Sequence, residues 1–386
     1  MSGWHTDNEM LKVTWSQAAA WRVRRHHLDE RAPAGSMLAV ASRLCGLHAQ
    51  VMSSAELTAW ARVEGLERQE VQRALWQNRT LIKTWAMRGT LHLLPADEFP
   101  LWHAALSTNR RYLKPALWQK YFGITLEQLE FLTETVAAAL DGRVMTREEL
   151  VQEVGRLTGS AAFAATLVAS SWGTVLKPAA FTGRLCFGPN LGQRVRFTNP
   201  YSWLGAKPPA IDPETATAAI ARRFLAAYGP ATYHDLARWW TGGGVSIARQ
   251  LIASLGGEVS SVDLDGVRAW MLAAHVLELR ELPPARSVRL LPGFDQYVVG
   301  ASYHAGHLLP GDLRGRVYRP QGWISPVLLV NGFMRGTWRH EIRGSRIDVL
   351  IEPFTKLPAW VRRAAAQEAE RLANFLGCGL SLTWKS

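Results

Sequence analysis

The sequence predicts an α+β protein in which three groups of helices, each followed by a β-hairpin, precede a β-rich C-terminal segment. Two observations predict this class. A succession of element types (helix, short helix, second helix, two-stranded hairpin) occurs three times along the chain. Strand-like segments separated by Gly, Pro and Asn then follow residue 283. Three helices and a β wing describe the winged helix-turn-helix, so three tandem motifs are expected. Any one copy can be pure scaffold, because winged helices also mediate protein contacts.

The first motif is expected within residues 1–115. Ser53 and Glu56 have the spacing of a capping box, which predicts that a helix opens there. The later stretch is apolar and β-branched around Met87-Arg88-Gly89, which is typical of a hairpin. The predicted elements are helices over 35–46, 56–65 and 67–78 and a hairpin over 81–94.

The second and third motifs are expected within 116–207 and 208–282. A capping box of Thr146 and Glu149 marks a helix start in the second, and Asp265-Gly266 is a strong turn signal in the third. The second motif is predicted to contain helices over 125–140, after Thr146 and over 171–183, with a wing over 184–198. The third is predicted to contain helices over 214–229, 230–241 and 246–257, with a wing over 258–272.

Residues 283–386 predict a small α+β or barrel-like domain. Its strand-like segments are 288–300, 325–341 and 345–354, followed by an amphipathic helix over 359–377 and a final strand over 380–384. Proline-marked joints are expected around 207–215 and 281–287.

The composition restricts the class of partner and the compartment. Lys and Arg number 44 against 32 acidic residues, giving a formal net charge of +12, which favours nucleic acid, although many basic proteins bind no polyanion. The first ten residues have no apolar signal core and no run approaches a membrane span, so a cytoplasmic protein without membrane contact is expected. The cysteines form neither a zinc signature nor a disulfide framework, and they are Cys45, Cys186 and Cys378.

The most informative short segment is Gly46-Leu47-His48-Ala49-Gln50. In an extended stretch, His48 and Gln50 project to the same side. They precede the expected helix start, where free N–H groups favour a phosphate. A proton acceptor, an amide that can orient water and a phosphate site would then lie together. The same His-x-Gln could instead serve as a local cap in a helix–helix turn.

Four segments together resemble the AlkZ/YcaQ-type winged-helix DNA glycosylases, in order and over nearly the whole chain; they are LHAQ (47–50), TWAMRGTLHLLPADE (84–98), LLPGFDQYVVG (290–300) and VNGFMRGTWR (330–339). The resemblance implies tandem winged helices and a C-terminal β domain. It also implies that the family's catalytic Gln-x-Gln or Gln-x-Asp motif is here His48-Ala49-Gln50. Gln50 matches the second position, and His48 replaces the first. This variant is similar to the His-x-Gln branch associated with self-resistance to bulky DNA-alkylating natural products.

The resemblance implies hydrolysis of an N-glycosidic bond. N7-alkylated guanine is cationic and leaves readily, so the enzyme needs mainly to position water at C1′ and stabilise an oxocarbenium ion. A neutral His48 could accept the water's proton, while Gln50 could hold the water or bind a phosphate. Sequence does not decide whether His48 is a base, a water ligand or a phosphate contact. None of the eight lysines lies within thirty residues of the motif, which disfavours a Schiff-base lyase. A monofunctional glycosylase without cofactor or metal is expected.

Two segments, 85–89 and 333–339, place Arg beside Gly with aromatic neighbours and are expected to be hairpins that contact double-stranded DNA. The alternative is that Trp85 and Trp338 pack in cores and that an Arg at a turn is only solvated. An Arg at a hairpin tip can enter a minor groove. The candidate DNA-binding residues there are Trp85, Arg88, Arg335 and Arg339. Arg24 and Arg25, followed by His26 and His27, are expected to form a basic surface patch that contacts phosphate.

The leading functional hypothesis is therefore a monomeric glycosylase for alkylated purines, with bulky N7-alkylguanine adducts as substrates. Two alternatives remain at this stage. A non-enzymatic winged-helix transcriptional regulator would dimerise on a defined operator and needs only one DNA-recognition motif per subunit. A sequestration protein would bind the free small molecule without DNA.

Overall fold

The protein mixes helices and strands along its whole described length. Its structure, a computed structural model, describes residues 10–108, 114–170, 173–206, 210–240, 244–301 and 303–385. The helices are α1 (Trp15–Arg25), α2 (Met37–Arg43), α3 (Met52–Trp60), α4 (Glu70–Trp76), α5 (Phe99–Ser107), α6 (Pro115–Phe122), α7 (Leu126–Ala139), α8 (Arg147–Thr158), α9 (Ala161–Ala165), α10 (Lys177–Phe181), α11 (Pro200–Leu204), α12 (Pro213–Tyr228), α13 (Tyr233–Trp240), α14 (Val245–Ser254), α15 (Val276–Glu281), α16 (Gln296–Gly300), α17 (Ala305–Leu308), α18 (Arg314–Val317) and α19 (Ala359–Leu376). The strands are β1 (Lys12–Val13), β2 (Leu47–His48), β3 (Leu81–Trp85), β4 (Leu91–Pro95), β5 (Val144–Thr146), β6 (Cys186–Leu191), β7 (Arg194–Thr198), β8 (Val259–Leu264), β9 (Val267–Leu272), β10 (Val288–Leu291), β11 (Val327–Val330), β12 (Phe333–Arg343), β13 (Arg346–Pro353) and β14 (Gly379–Trp384).

The chain divides into two compact units. The inserted unit consists of Pro33–Ile220 and Trp239–Gly243, and the discontinuous unit consists of Met1–Ala32, Ala221–Arg238 and Gly244–Ser386. The three predicted hairpins form as β3–β4, β6–β7 and β8–β9. Each follows helices in the predicted order, so the expected succession of element types is observed.

One six-stranded sheet crosses the inserted unit, in the order β2-β4-β3-β6-β7-β5. Its strands all pair antiparallel, and the pairing of Lys83 in β3 with Phe187 in β6 joins the first two hairpins into one surface. The sequence predicted these hairpins as separate wings. The pairing that joins them links residues that lie far apart in the chain, so no local turn signal reports it.

The third hairpin belongs to the discontinuous unit, where it gains a strand from the start of the chain. The order of this sheet is β1-β8-β9, and β1 runs parallel to β8. Trp21 of α1 packs on the sheet in a buried core with Val262, Met271 and Leu279. The N-terminal segment thus completes the sheet of the third hairpin.

The C-terminal segment forms a five-stranded sheet in the order β10-β11-β12-β13-β14, with α19 packed against it. Among the described residues no pairing joins β10 to β14, so the observed arrangement is an open sheet with a helix. The predicted strand over 288–300 is only partly correct. It ends at Leu291, and the side chain of Asp295 accepts from Tyr297 N at 2.9 Å and caps α16.

Two capping-box predictions had different outcomes. Thr146 and Glu149 cap α8 reciprocally, as predicted. The box at Ser53 and Glu56 is wrong: α3 begins at Met52 after an extended Val51 with no side-chain cap. Glu56 instead accepts a hydrogen bond from Gln72 in α4 at 2.5 Å, so its carboxylate is directed away from the helix start.

A buried polar network lies in the discontinuous unit, and no local sequence pattern predicts it. Arg22 Nη1 lies 2.6 Å from His304 Nε2, and His304 Nδ1 lies 2.8 Å from Asp235 Oδ1. Since a guanidinium can only donate, Nε2 accepts and the proton of a neutral His304 is on Nδ1. Arg22 also donates to the carbonyl oxygens of Tyr228 and Pro230. This network ties α1 to α13 and α17.

Some predictions lie outside the described residues, in whole or in part. They are the N-terminal residues 1–9, the start of the joint at 207–215, the start of the helix over 171–183 and the last residue of the helix over 230–241. In the part of the chain that the structure describes, no helix is long and apolar enough to cross a membrane.

Candidate active site

Gly46 brings strand β2 into close contact with β4. Its φ is +94°, and a Cβ added there would lie 2.6 Å from Leu94 Cδ2 and 3.1 Å from Leu93 O. A larger residue would meet both the strain of this conformation and the neighbouring strand. The close approach sets the antiparallel register in which His48 pairs with His92. The glycine that opens the predicted motif thus positions its histidine.

Three polar side chains form a row across β2, β4 and β3. His48 pairs with His92, which pairs with Thr84. Directly opposed residues of neighbouring strands share one face of a sheet. The two imidazole rings meet edge to face, with centroids 5.3 Å apart and planes at 76°. His48 is 5% exposed and His92 is fully buried, so the row lies in the interior of the inserted unit.

Burial keeps both imidazoles neutral. Desolvation, followed by the positive charge of Arg88, lowers the pKa of His48 to about 3. Burial also holds the pKa of His92 well below its usual range, with smaller contributions from His48 and Arg88. His92 Nδ1 lies 3.0 Å from Thr90 O, which can only accept, so the proton of neutral His92 is on Nδ1. At neutral pH each ring therefore retains one nitrogen lone pair.

Gln50 lies in a different environment from His48. Its side chain is exposed, two residues before α3 begins at Met52. Because α3 has no side-chain cap, its first-turn N–H groups are not occupied by a capping side chain. The motif therefore combines a buried proton acceptor with an exposed amide next to a helix start.

Arg88 lies in the turn between β3 and β4, as predicted. Its backbone adopts a left-handed conformation with φ 59°, and its Nη1 donates to Trp239 O at 2.8 Å. Its guanidinium lowers the pKa of His48. The structure thus brings the charge of Arg88 to bear on His48, a relation that no local sequence pattern predicts.

Trp85 and Lys83 face away from the histidine row. Trp85 is buried, and its ring packs edge to face on Phe187 at 4.7 Å. Its observed role is packing beneath the turn, and DNA contact by Trp85 stays a prediction. Lys83 is adjacent in β3 to Thr84, so it projects from the opposite face of the sheet to His92. The lysine that is nearest to the motif in sequence is therefore turned away from it.

Arg335 and Arg339 are not at a hairpin tip, and that part of the prediction is wrong. Both lie within the long strand β12, because the turns that bound it are at Asn331-Gly332 and at Gly344-Ser345. Arg335 is half-buried with its guanidinium over the Phe333 ring, whereas Arg339 is exposed. DNA contact by either residue stays a prediction.

The predicted basic patch at the end of α1 is only partly at the surface. Arg24 is exposed, and Arg25 Nε donates to Ala226 O at 2.8 Å. His26 is buried between the rings of Tyr228 and Tyr297, so the prediction that it belongs to a surface patch is wrong. Phosphate contact by Arg24 and Arg25 stays a prediction.

The chemistry of the candidate site involves neutral side chains and one arginine. Over the described ranges, no group of three or more His, Cys, Asp or Glu residues could hold a metal ion. Buried neutral imidazoles can accept protons or orient water, and an exposed amide can contact water or phosphate. These groups suit positioning of a nucleophilic water.

Comparisons with known proteins show to which family the chain is similar. Residues 41–375 match the family model of the AlkZ-like DNA glycosylases. The interstrand DNA cross-link repair glycosylase of Streptomyces sahachiroi is 38% identical over 375 residues, which cover 95% of this chain and 98% of that protein. The solved structure of the Streptomyces sahachiroi DNA glycosylase AlkZ superposes with a TM-score of 0.85 at 37% identity, covering 96% of this chain and 100% of the other.

The chain belongs to the AlkZ-like DNA glycosylase family. It is therefore an enzyme of the DNA glycosylase class with DNA as its substrate, and the resemblance found in the sequence is confirmed.

Proposed function

We propose that this protein is a monofunctional glycosylase that hydrolyses the N-glycosidic bond of alkylated purines, above all bulky N7-alkylguanine adducts, with His48 and Gln50 as its catalytic residues. The observation that carries the proposal is the buried, neutral imidazole of His48, two residues before an exposed Gln50, in a chain of this family. A neutral imidazole and an amide are the groups needed to bind and deprotonate a water.

The reaction needs little help at the leaving group, because N7-alkylation already makes the guanine cationic. Water attacks C1′ as the bond from C1′ to N9 breaks, and the electron pair of that bond leaves with the base. His48 accepts a hydrogen bond from the water and takes its proton, while Gln50 orients the water or the adjacent phosphate. The phosphodiester charge stabilises the oxocarbenium ion. Lys83 projects from the opposite face of the sheet, which supports hydrolysis over a Schiff-base route.

DNA engagement is proposed to use the tandem winged helices, as a monomer. The charge of Arg88 acts on His48, and Arg24, Arg25, Arg335 and Arg339 supply further positive charge. A bulky adduct is difficult to rotate into a closed pocket, so the lesion is expected to be bound in an open cleft without full base flipping. A deep, closed base pocket beside His48 would contradict this part of the proposal.

The lesion class is proposed from two supports. The Streptomyces sahachiroi relative is named a glycosylase of interstrand DNA cross-links, which are bulky lesions. The His-x-Gln form of the motif is similar to the branch associated with self-resistance to DNA-alkylating natural products. We therefore propose a role in self-resistance. The regulator and sequestration alternatives lose their support, since the family is enzymatic.

The experiment is base release from a duplex carrying a single N7-alkylguanine, either a simple methyl or a bulky adduct, with alkaline cleavage revealing the abasic site. Wild type should release the base. His48→Ala and Gln50→Ala should each reduce the single-turnover rate by about 10²-fold or more, the usual range for a lost general base, while retaining affinity for DNA.

Two variants control for nonspecific damage to the fold. His103→Ala removes a half-buried histidine of the same unit, and Gln119→Ala removes an exposed glutamine of α6. Both should retain wild-type rates. Failure of wild type to process any alkylated duplex, together with sequence-specific DNA binding, would overturn the proposal.

A further inference from the structure

A polar cleft of about 310 Å³ lies in the C-terminal part of the discontinuous unit. One wall is formed by α18 and the loop that follows it, and the other by β12 and β13. At roughly 30 Å³ per water molecule the cleft has room for about ten waters, so a hydrated phosphodiester group would fit. The polar side chains that line it are Arg316, Arg319, Ser325, Thr337, Arg339 and Glu352.

Hydrogen bonds fix the loop that forms the first wall. Ser325 Oγ donates to Arg316 O at 2.9 Å, and Ser325 N donates to Val317 O at 2.9 Å. The end of the loop is joined to β12, because Trp338 N donates to Pro326 O at 3.2 Å. The backbone that carries the arginines is therefore held in place without a ligand.

The one negative charge of the cleft is already compensated, whereas two of its positive charges are not. Glu352 accepts hydrogen bonds from Arg316 Nη2 at 3.0 Å and from Lys385 Nζ at 3.3 Å. Arg319 and Arg339 are exposed, and neither makes an ion pair or a side-chain hydrogen bond with any residue that the structure describes. Two guanidinium groups without an acidic partner thus line one cleft, which favours an anionic ligand.

The lining favours a phosphate over a base or an apolar ligand. Trp338 supplies the one aromatic ring among the lining residues, but it is 3% exposed and its Nε1 donates to Leu291 O at 2.8 Å. A ring enclosed in this way offers no face on which a base could stack. The hydroxyl of Thr337 and the two guanidinium groups are instead donors of the kind that bind phosphate oxygens.

We propose that this cleft binds a phosphodiester group of the DNA backbone, with Arg319 and Arg339 donating to its oxygens. A planar guanidinium presents paired donors that match a phosphate, and such a contact holds the duplex without reading its sequence. The inference rests on the proposed engagement of DNA, to which it adds Arg319 and a shared site for Arg339. It does not depend on the chemistry at His48.

The salt dependence of binding to an undamaged duplex tests the proposal. Each lost phosphate contact should lower the slope of log K against log salt by about 0.9. Arg319→Gln and Arg339→Gln should each show this change. From about 50 to 200 mM salt, the double variant should lose about tenfold less affinity than wild type does. The urea midpoints should match that of wild type, because the replaced side chains are exposed.

Arg363→Gln is the matched control for the loss of one positive charge. Arg363 is an exposed arginine of α19 that does not line the cleft, so its removal should leave the slope unchanged. A second measurement locates the contact directly. Duplex should slow the modification of Arg319 and Arg339 by phenylglyoxal, read by peptide mass spectrometry, in proportion to the fraction of protein bound. Arg363 should react at the same rate with and without duplex.

The outcomes separate this inference from the proposed function. Unchanged slopes in Arg319→Gln and Arg339→Gln, or equal protection of Arg363, would overturn the inference. Equal protection of the two cleft arginines by millimolar deoxyguanosine monophosphate would also overturn it, because the cleft would then be a site for free nucleotides. If wild type releases no alkylated base while the slopes and the protection are as expected, the proposed function fails and the phosphate cleft stands.

Discussion

At the scale of single residues, the site depends on burial rather than on a charged partner. His48 is kept neutral first by desolvation and then by Arg88, and its ring meets another neutral imidazole edge to face. A histidine in solution would be half protonated near pH 6.5. The buried residue retains its lone pair well below that pH, so the proton-accepting form is present throughout the physiological range.

The base-release rate should therefore be insensitive to mild acid. A reaction that needs neutral His48 loses rate only as the pH approaches the lowered pKa of about 3. The single-turnover rate is expected to stay constant within about twofold from pH 8 to pH 5. An unshifted histidine would lose about 30-fold over that range. The measurement is base release against pH, corrected with His48→Ala for uncatalysed loss. A decline centred near pH 6.5 would show either that burial does not lower the pKa of His48 or that His48 is not the base.

Arg88 offers a sharper form of this test. Removing its charge should raise the pKa of His48, so the acid limb of Arg88→Gln should move to higher pH than that of wild type. Arg79→Gln is the matched control, because Arg79 also has a positive φ and donates to a tryptophan carbonyl at 2.8 Å. Rates at saturating enzyme separate this effect from DNA affinity. The same acid limb in both variants would contradict the assigned charge effect.

At the scale of elements, the short strand β2 is the part of the site that sequence did not predict. Its two residues lack the length of a strand signal, and its partner β4 lies more than forty residues later. The hairpin itself was predicted correctly, because its apolar and β-branched residues and Gly89 are local signals. His92 was visible in LHLL as a polar residue within an apolar strand. Only the pairing of β2 with β4 shows that His92 lies opposite His48.

Gly46→Ala should disrupt this element. The new Cβ would be 2.6 Å from Leu94 Cδ2, so either β2 must move away from β4 or the Leu94 side chain must shift. Gly35→Ala is the control, since Gly35 also has a positive φ, of 81°, but has open space around it. Gly46→Ala should lose about 1–3 kcal/mol more unfolding free energy in urea than Gly35→Ala, and it should also lose base-release rate. Equal losses of stability would show that β2 tolerates displacement.

At the scale of the whole molecule, local patterns predicted the elements but not their long-range partners. The helix starts predicted at Thr125 and Thr146 are correct, and in the structure a side chain three residues later completes the cap at each. The joined sheet and the pairing of β1 with β8 both link distant segments, and no local rule encodes them. The same holds for Arg22, His304 and Asp235, whose network forms only in the folded chain.

That network predicts how stability depends on pH. The folded pKa of His304 is lowered, first by burial, so below about pH 6.5 the unfolded state binds a proton that the folded state does not. Stability is therefore lost as the pH falls. Urea unfolding of His304→Gln should show a shallower pH dependence than wild type, whereas exposed His234→Gln should not. Parallel curves for all three proteins would contradict this account.

The parallel pairing of β1 with β8 bears on how the chain is made. Trp15 N donates to the Asp265 side chain at 2.8 Å, and these two residues are 250 positions apart in the sequence. At roughly 5–20 residues per second, a nascent N-terminal strand waits on the order of 12–50 s for its partner to leave the ribosome. Within that interval the whole of Pro33–Ile220 has been synthesised. The segment that contains His48, Gln50 and His92 is thus available to fold co-translationally, while the strand that precedes it is still unpaired.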